Sequence, residues 1–85
     1  MTSPNTNAPT MTQHHRFELT RDYIELDSLL KLLTLAPSGG IAKMMIADGL
    51  VTVNGELELR KTRKLRHGDV VRMDQHEVLI ERDEQ

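Results

Sequence analysis

The stretch LDSLLKLLTLAPSGGIAKMMIADG, residues 26–49, decides the fold. Leu26, Leu29, Leu30, Leu32 and Leu33 recur at helical spacing and predict a helix with a wide apolar face. Asp27 suits the positively polarised first turn of that helix. Pro37 cannot continue the hydrogen-bond ladder and is expected to stop it. Ser38 then predicts the N-cap of a second helix, GGIAKMMIAD, because its hydroxyl can accept a hydrogen bond from a free N–H at the helix start. Ala42, Met45 and Ile46 recur at helical spacing along this second helix, and Gly49 stands where a helix ends in a left-handed residue. Met44 and Met45 are packing residues in this reading, not a cofactor site.

Working outward, FEL (17–19) and YIEL (23–26) alternate apolar and polar residues and predict strands. LVTVNGELEL (50–59) predicts a hairpin around Asn54-Gly55, the favoured dipeptide for a two-residue turn. A strict two-residue turn sets Val51 and Val53 opposite Glu58 and Glu56, with Leu57 facing Thr52. Either one face of the hairpin is then mixed, or a bulge shifts its second strand. Gly68-Asp69 marks a turn into a strand at Val70–Met73, and EVLIE (77–81) is a last strand. The order strand, helix, helix, hairpin, strand, strand predicts an α+β domain, with two helices packed on a small, mostly antiparallel twisted sheet. Residues 16–82 are expected to form it, and residues 1–15, rich in Thr, Ser, Asn and Pro, a disordered tail. A sheet edge from Phe17 or Glu77 could pair with a second chain, so the oligomeric state stays open.

With 85 residues there is room for one domain and one core. The absence of cysteine excludes disulfides, thiolate metal sites and a cysteine nucleophile, and fits a reducing compartment. No run approaches the roughly 20 apolar residues of a membrane span, and MTSPNTNAPTMTQHH lacks the apolar stretch of a secretory signal. A cytoplasmic location without a membrane partner is expected. His14 and His15 are adjacent and point in different directions with no further ligand nearby, so no metal or other cofactor is expected. Phe17 and Tyr23 are the only aromatic residues, too few for the platform of rings on which single-stranded nucleic acid is usually stacked.

Charge is sorted along the chain. The net charge is -2, yet Arg60, Lys61, Arg63, Lys64 and Arg66 fall within one short run, RKTRKLR. Residues 39–68 carry a net +3 and the remainder a net −5. Such asymmetry suggests an anionic partner on one face, although a basic run by itself is often only a solvated surface. Ser38-Gly39-Gly40 adds weight, because free N–H groups and the helix dipole favour an anion there and two glycines allow close approach. Lys43 follows about one turn further in. The spacing SGG-x-x-K is not that of a nucleotide-hydrolysing P-loop.

The ordered set YIELDSLLKLL, SGGIAK, DGLVTVNGE, RKTRKL and HGDVV resembles the RNA-binding domain family named after ribosomal small-subunit protein four, the S-four domain. More closely, it resembles the short stand-alone bacterial branch of that family. The resemblance runs from about Tyr23 to Met73. It implies the alpha-L RNA-binding motif, a two-helix unit on a small twisted sheet, with RNA lying across the second helix and the hairpin-to-strand loop. The matching positions are Ser38, Gly39, Gly40 and Lys43 at the helix and Arg60, Lys61, Arg63 and Lys64 in the loop; Arg66 extends the basic run. Val51, Val53, Asn54 and Gly55 match the family's hairpin, and Gly68, Asp69 and Val70 its closing turn. Glu25 departs from the pattern, because larger members carry an Arg before the Leu-Asp of the first helix. They also carry an Arg in the second helix where Gly39-Gly40 stand.

The expected function is therefore non-catalytic binding of structured RNA, ribosomal or transfer RNA in particular, with no small-molecule substrate. Many cations and few rings favour recognition by backbone and shape. The alternative is a protein-interaction adaptor, ribosome-associated or otherwise, whose basic loop is only solvated. Catalysis would need acid–base pairs such as His67 with Asp69 or His76 with Asp74. Both stand in turns beside strands, where these are ordinary surface residues.

Overall fold

The computed structural model of the chain describes residues 12–83. The elements are β1 (Gln13–Leu19), β2 (Ile24–Glu25), α1 (Leu26–Leu32), α2 (Gly39–Ala47), β3 (Val51–Val53), β4 (Glu56–Leu57), β5 (Lys64–Leu65), β6 (Val70–Met73) and β7 (His76–Arg82). A five-stranded sheet runs in the order β1-β7-β6-β3-β4, and β2 pairs with β5 in a separate two-stranded ribbon. All pairings are antiparallel except β1 with β7. This is the two-helix, mostly antiparallel α+β architecture that the sequence predicts.

Leu26, Leu29 and Leu30 of α1 and Ala42 and Ile46 of α2 are fully buried, together with Val51, Leu65 and Ile80 from the strands. They belong to a single hydrophobic cluster that joins both helices to both sheets. Leu32, expected on the apolar face, is 60% exposed.

The first helix ends at Leu32, well before Pro37. Thr34 adopts the left-handed conformation at φ 58. Its N–H donates to the Lys31 carbonyl at 3.0 Å, while the Leu35 N–H donates to the Leu30 carbonyl at 2.9 Å. This pair of bonds closes a Schellman motif, which satisfies the last carbonyls without any help from proline. The same motif ends α2, where Gly49 at φ 80 donates to Ile46 and Leu50 to Met45. There glycine occupies the left-handed position at no steric cost.

The hairpin keeps the strict two-residue register. Asn54 (φ 54) and Gly55 (φ 84) form the turn, Val53 faces Glu56 and Thr52 faces Leu57. No bulge intervenes, and the Glu58 N–H donates to the Val51 carbonyl at 3.0 Å. The mixed face is therefore real, and Glu58 is only 5% exposed.

Two expectations about the chain ends are corrected. Residues 1–11 of the expected tail lie outside the described residues, but residues 13–15 already belong to β1, which runs in register with β7. His15 Nε2 and His76 Nδ1 lie 3.1 Å apart across that pairing, and His14 meets Glu77 at 2.8 Å. Glu77 is not at an edge: β7 lies between β1 and β6, so among the described residues the edges of the sheet are β1 and β4. Sequence alternation located β1 but could not supply a strand partner at the other end of the domain.

A β-branched residue at positive φ is strained, and glycine is the preferred residue at this cap position. Replacing Thr34 by Gly is expected to stabilise the fold by up to about 1 kcal/mol, raising Tm by roughly 4–8 °C. A thermal melt that shows a lower Tm would contradict the strained-cap assignment.

Candidate functional site

The basic run is fixed in place by the first helix. Helix α1 has no side-chain cap at its N-terminus. Its first N–H groups go instead to the loop: Leu26 N–H donates to the Arg63 carbonyl at 2.9 Å, and Asp27 N–H to the Lys61 carbonyl at 3.1 Å. Beside them β5 pairs with β2, with Ile24 opposite Leu65 and Glu25 opposite Lys64. Leu65 is fully buried, whereas Lys64 and Arg66 on either side of it are exposed. Strand alternation thus turns one residue of the run inward and its two neighbours outward.

Not every cation of the run is available. The buried Glu58 carboxylate accepts from Arg60 Nε at 2.9 Å, Arg60 Nη2 at 3.0 Å and Arg63 Nη1 at 2.6 Å, and from the Arg60 backbone N–H at 2.9 Å. The Arg60 side chain does most to hold the Glu58 carboxyl down at about 2, helped by Arg63 and the backbone N–H against the opposing effect of burial. Arg60, Thr62, Arg63 and Lys64 line an open depression of about 360 Å³.

Helix α2 presents a similar division. Ser38 caps it as expected, its Oγ accepting from Ile41 N–H at 3.2 Å. A side chain added at Gly39 would meet nothing within 4 Å, and at Gly40 only Ser38 Oγ at 3.9 Å. Packing does not require these glycines, and the helix start is open to approach. Lys43, by contrast, is tied down: its Nζ lies 2.6 Å from Asp27 Oδ2. Asp27 is buried, and its other oxygen accepts from Ser28 N–H at 2.9 Å. Lys43 therefore links α2 to the start of α1, with its side chain 47% exposed.

The family model for the S4 domain matches residues 17–81. The chain belongs to the S4 domain family. The "Putative RNA-binding protein YbcJ" of Escherichia coli (strain K12) is 41% identical over 58 residues, which is 68% of this chain and 83% of that protein. The "Probable ribosome maturation protein RlbA" of Bacillus subtilis (strain 168) is 42% identical over 53 residues, 62% of this chain and 75% of that one. The solution structure of E. coli YbcJ, described as revealing an alphaL motif involved in RNA-binding, is similar with a TM-score of 0.61. It is 34% identical, and the match covers 94% of this chain and 99% of that one.

Within this S4 domain the ion pairs separate two sets of cations. Arg16, Lys43, Arg60, Arg63, Arg72 and Arg82 each meet a carboxylate. Arg21, Lys31, Lys61, Lys64 and Arg66 meet none among the described residues. Three of this second set surround one ring: Arg21 Cζ, Lys64 Nζ and Arg66 Cζ lie 5.2, 5.1 and 5.5 Å from the centroid of Tyr23. Sequence reasoning missed Arg21 and Tyr23. Their closeness in sequence, two residues apart, was the available signal. Their meeting with residues 64–66 follows only from the β2–β5 pairing.

His67 and its neighbours hold turns together, whereas His76, expected in a turn, is the first residue of β7. His67 Nδ1 accepts from the Arg82 backbone N–H at 3.0 Å. Asp69 accepts from the Arg66 backbone N–H at 2.8 Å and from Asn54 Nδ2 at 3.0 Å. Asn54 Oδ1 in turn accepts from Val70 N–H at 2.9 Å, joining the hairpin turn to the closing turn.

Because the folded pKa of Glu58 is depressed, its stabilising effect is complete above about 4.5 and is lost as pH falls towards about 2. An acid titration of Tm should show this loss in the wild type. Glu58→Gln should cost about 1–3 kcal/mol near neutral pH and flatten the acid limb. An unchanged acid limb in the variant would mean that other carboxylates carry it.

Proposed function

We propose that the protein binds structured RNA without acting on it chemically, through the open N-terminus of α2 and the outward cations of the 60–66 loop. The observation that carries this is that Lys61, Lys64 and Arg66, three of the cations without a carboxylate among the described residues, stand on a loop whose backbone is bonded to the start of α1. A rigid basic surface with few rings suits the phosphates and shape of folded RNA better than a flexible single strand. The RNA-binding alphaL motif described for YbcJ supports the same conclusion. The name of RlbA, a ribosome maturation protein, favours ribosomal RNA over transfer RNA as the ligand. Among the described residues no helix is long and apolar enough to cross a membrane.

Lys61, Lys64 and Arg66 carry the phosphate contacts, and Arg60 and Arg63 add to them only as far as Glu58 leaves their outer N–H groups free. With about four phosphates neutralised, log affinity should fall against log salt with a slope of roughly −3 to −4. The Lys61/Lys64/Arg66 triple-Ala variant should bind at least tenfold more weakly and reduce the slope by about three. A shallow slope in the wild type, or full binding by the variant, would refute the electrostatic basis and leave an adaptor function.

The glycines allow a separate test of the helix start. Gly39→Ala with Gly40→Ala should leave Tm unchanged or raised, since both positions are open and helical. RNA affinity should nevertheless drop about tenfold if backbone approaches a phosphate there. Full affinity would take the α2 N-terminus out of the interface.

A further inference from the structure

Phe17 and Tyr23, the only aromatic residues of the sequence, line the same cleft. It lies between the end of β1 and α1, has a volume of about 280 Å³, and is shared with Thr20, Ser28 and Leu32. Leu32, at 60% exposure, is an apolar side chain that the core does not use. Arg21 also lines the cleft.

Arg21, Lys64 and Arg66 crowd the Tyr23 ring at 5.1–5.5 Å. Their mutual repulsion is only partly relieved by the negative face of one ring, and no carboxylate among the described residues pairs with any of them. A phosphate alone would account for the cations but not for a ring in the lining of a partly apolar cleft. A flat apolar ligand would account for the ring but not for three charges. An unpaired nucleotide meets both demands, because it offers a free aromatic face and a phosphodiester on each side. Bases inside a paired helix have their faces covered by neighbours and could not enter.

We infer that the Phe17–Tyr23 cleft takes the base of one unpaired nucleotide, with Arg21, Lys64 and Arg66 on its flanking phosphates. This rests on the RNA-binding function proposed above and adds what that function does not contain: a preference for RNA with a base out of the stack. The sequence holds too few rings for a stacking platform, but one base needs only one ring and one cleft.

Tyr23 is the only tyrosine and the chain has no tryptophan, so tyrosine emission reports on this position alone. The full chain would be titrated with a blunt RNA duplex and with the same duplex carrying one bulged adenosine. Affinity would be read from the anisotropy of labelled RNA and stacking from tyrosine quenching. The bulged RNA should bind about tenfold more tightly and quench Tyr23, whereas the paired duplex should bind without quenching. Tyr23→Leu, which keeps apolar volume and removes the ring, should abolish the tenfold preference for the bulged RNA over the duplex. Tyr23→Trp should retain the preference. Equal affinity for both RNAs without quenching would overturn the inference while leaving RNA binding intact. So would a Tyr23→Leu variant that weakens both RNAs alike, since Tyr23 would then only position cations. Failure to bind either RNA would refute the RNA-binding function itself.

Discussion

The first two N–H groups of α1, those of Leu26 and Asp27, have no side chain to receive them, and the basic loop depends on how this is solved. A helix start leaves its leading N–H groups without intrahelical partners, and an unpaired one in a buried setting is costly. Here the carbonyls of Lys61 and Arg63 accept them. The loop backbone is thereby turned towards the helix, and its outward side chains stand away from it. Leu65, buried between β2 and the core, locks the same segment from the other side. A basic loop built this way is ordered before any ligand arrives, so less conformational entropy is lost on binding. The cap and the candidate binding surface are the same residues, one using main chain and the other side chains.

The paired cations follow a similar economy. Glu58 occupies an inward position of the hairpin where an apolar residue would be expected, and a buried carboxylate survives there only with several donors. Arg60 and Arg63 supply them, using the guanidinium fork that suits a carboxylate. Lys43 does the same for Asp27 at the junction of the two helices. Breaking a buried pair by removing one partner strands the other. Variants at these positions are therefore expected to lose stability, whereas Lys61, Lys64 and Arg66 take part in no such pair among the described residues.

The elements legible in the sequence were those specified by short-range chemistry. Ser38 capping α2, Asn54-Gly55 turning the hairpin and Gly68-Asp69 opening β6 each depend on residues within a few positions of one another. What stayed hidden depended on distance or on an unusual residue. The end of α1 was missed because Thr34 occupies a left-handed position that normally calls for glycine, so Pro37 looked like the stop. The parallel partnership of β1 with β7 joins opposite ends of the domain, and no local pattern encodes it. The hairpin register was ambiguous because Glu58 looked misplaced until its arginines were in view. For the site, the run of cations was visible at once, but which of them were already neutralised was not. Pairing is a property of the fold, and net charge by segment cannot register it.

Glu25 shows how the two levels connect. In the family resemblance it is the larger members that carry an arginine just before the Leu-Asp of the first helix, and this chain has a carboxylate there. It is nevertheless a favourable residue for the fold, since it flanks the positive end of α1. In the two-stranded ribbon it stands directly opposite Lys64. The cation that serves this side of the molecule is instead Arg21, whose Nε donates to the Tyr23 carbonyl at 3.2 Å while its guanidinium lies over the Tyr23 ring. Arg21 joins Lys64 and Arg66 around this aromatic residue. A cation on a helix presents a point charge to a phosphate, whereas cations gathered round a ring beside a cleft also present a flat face to a base.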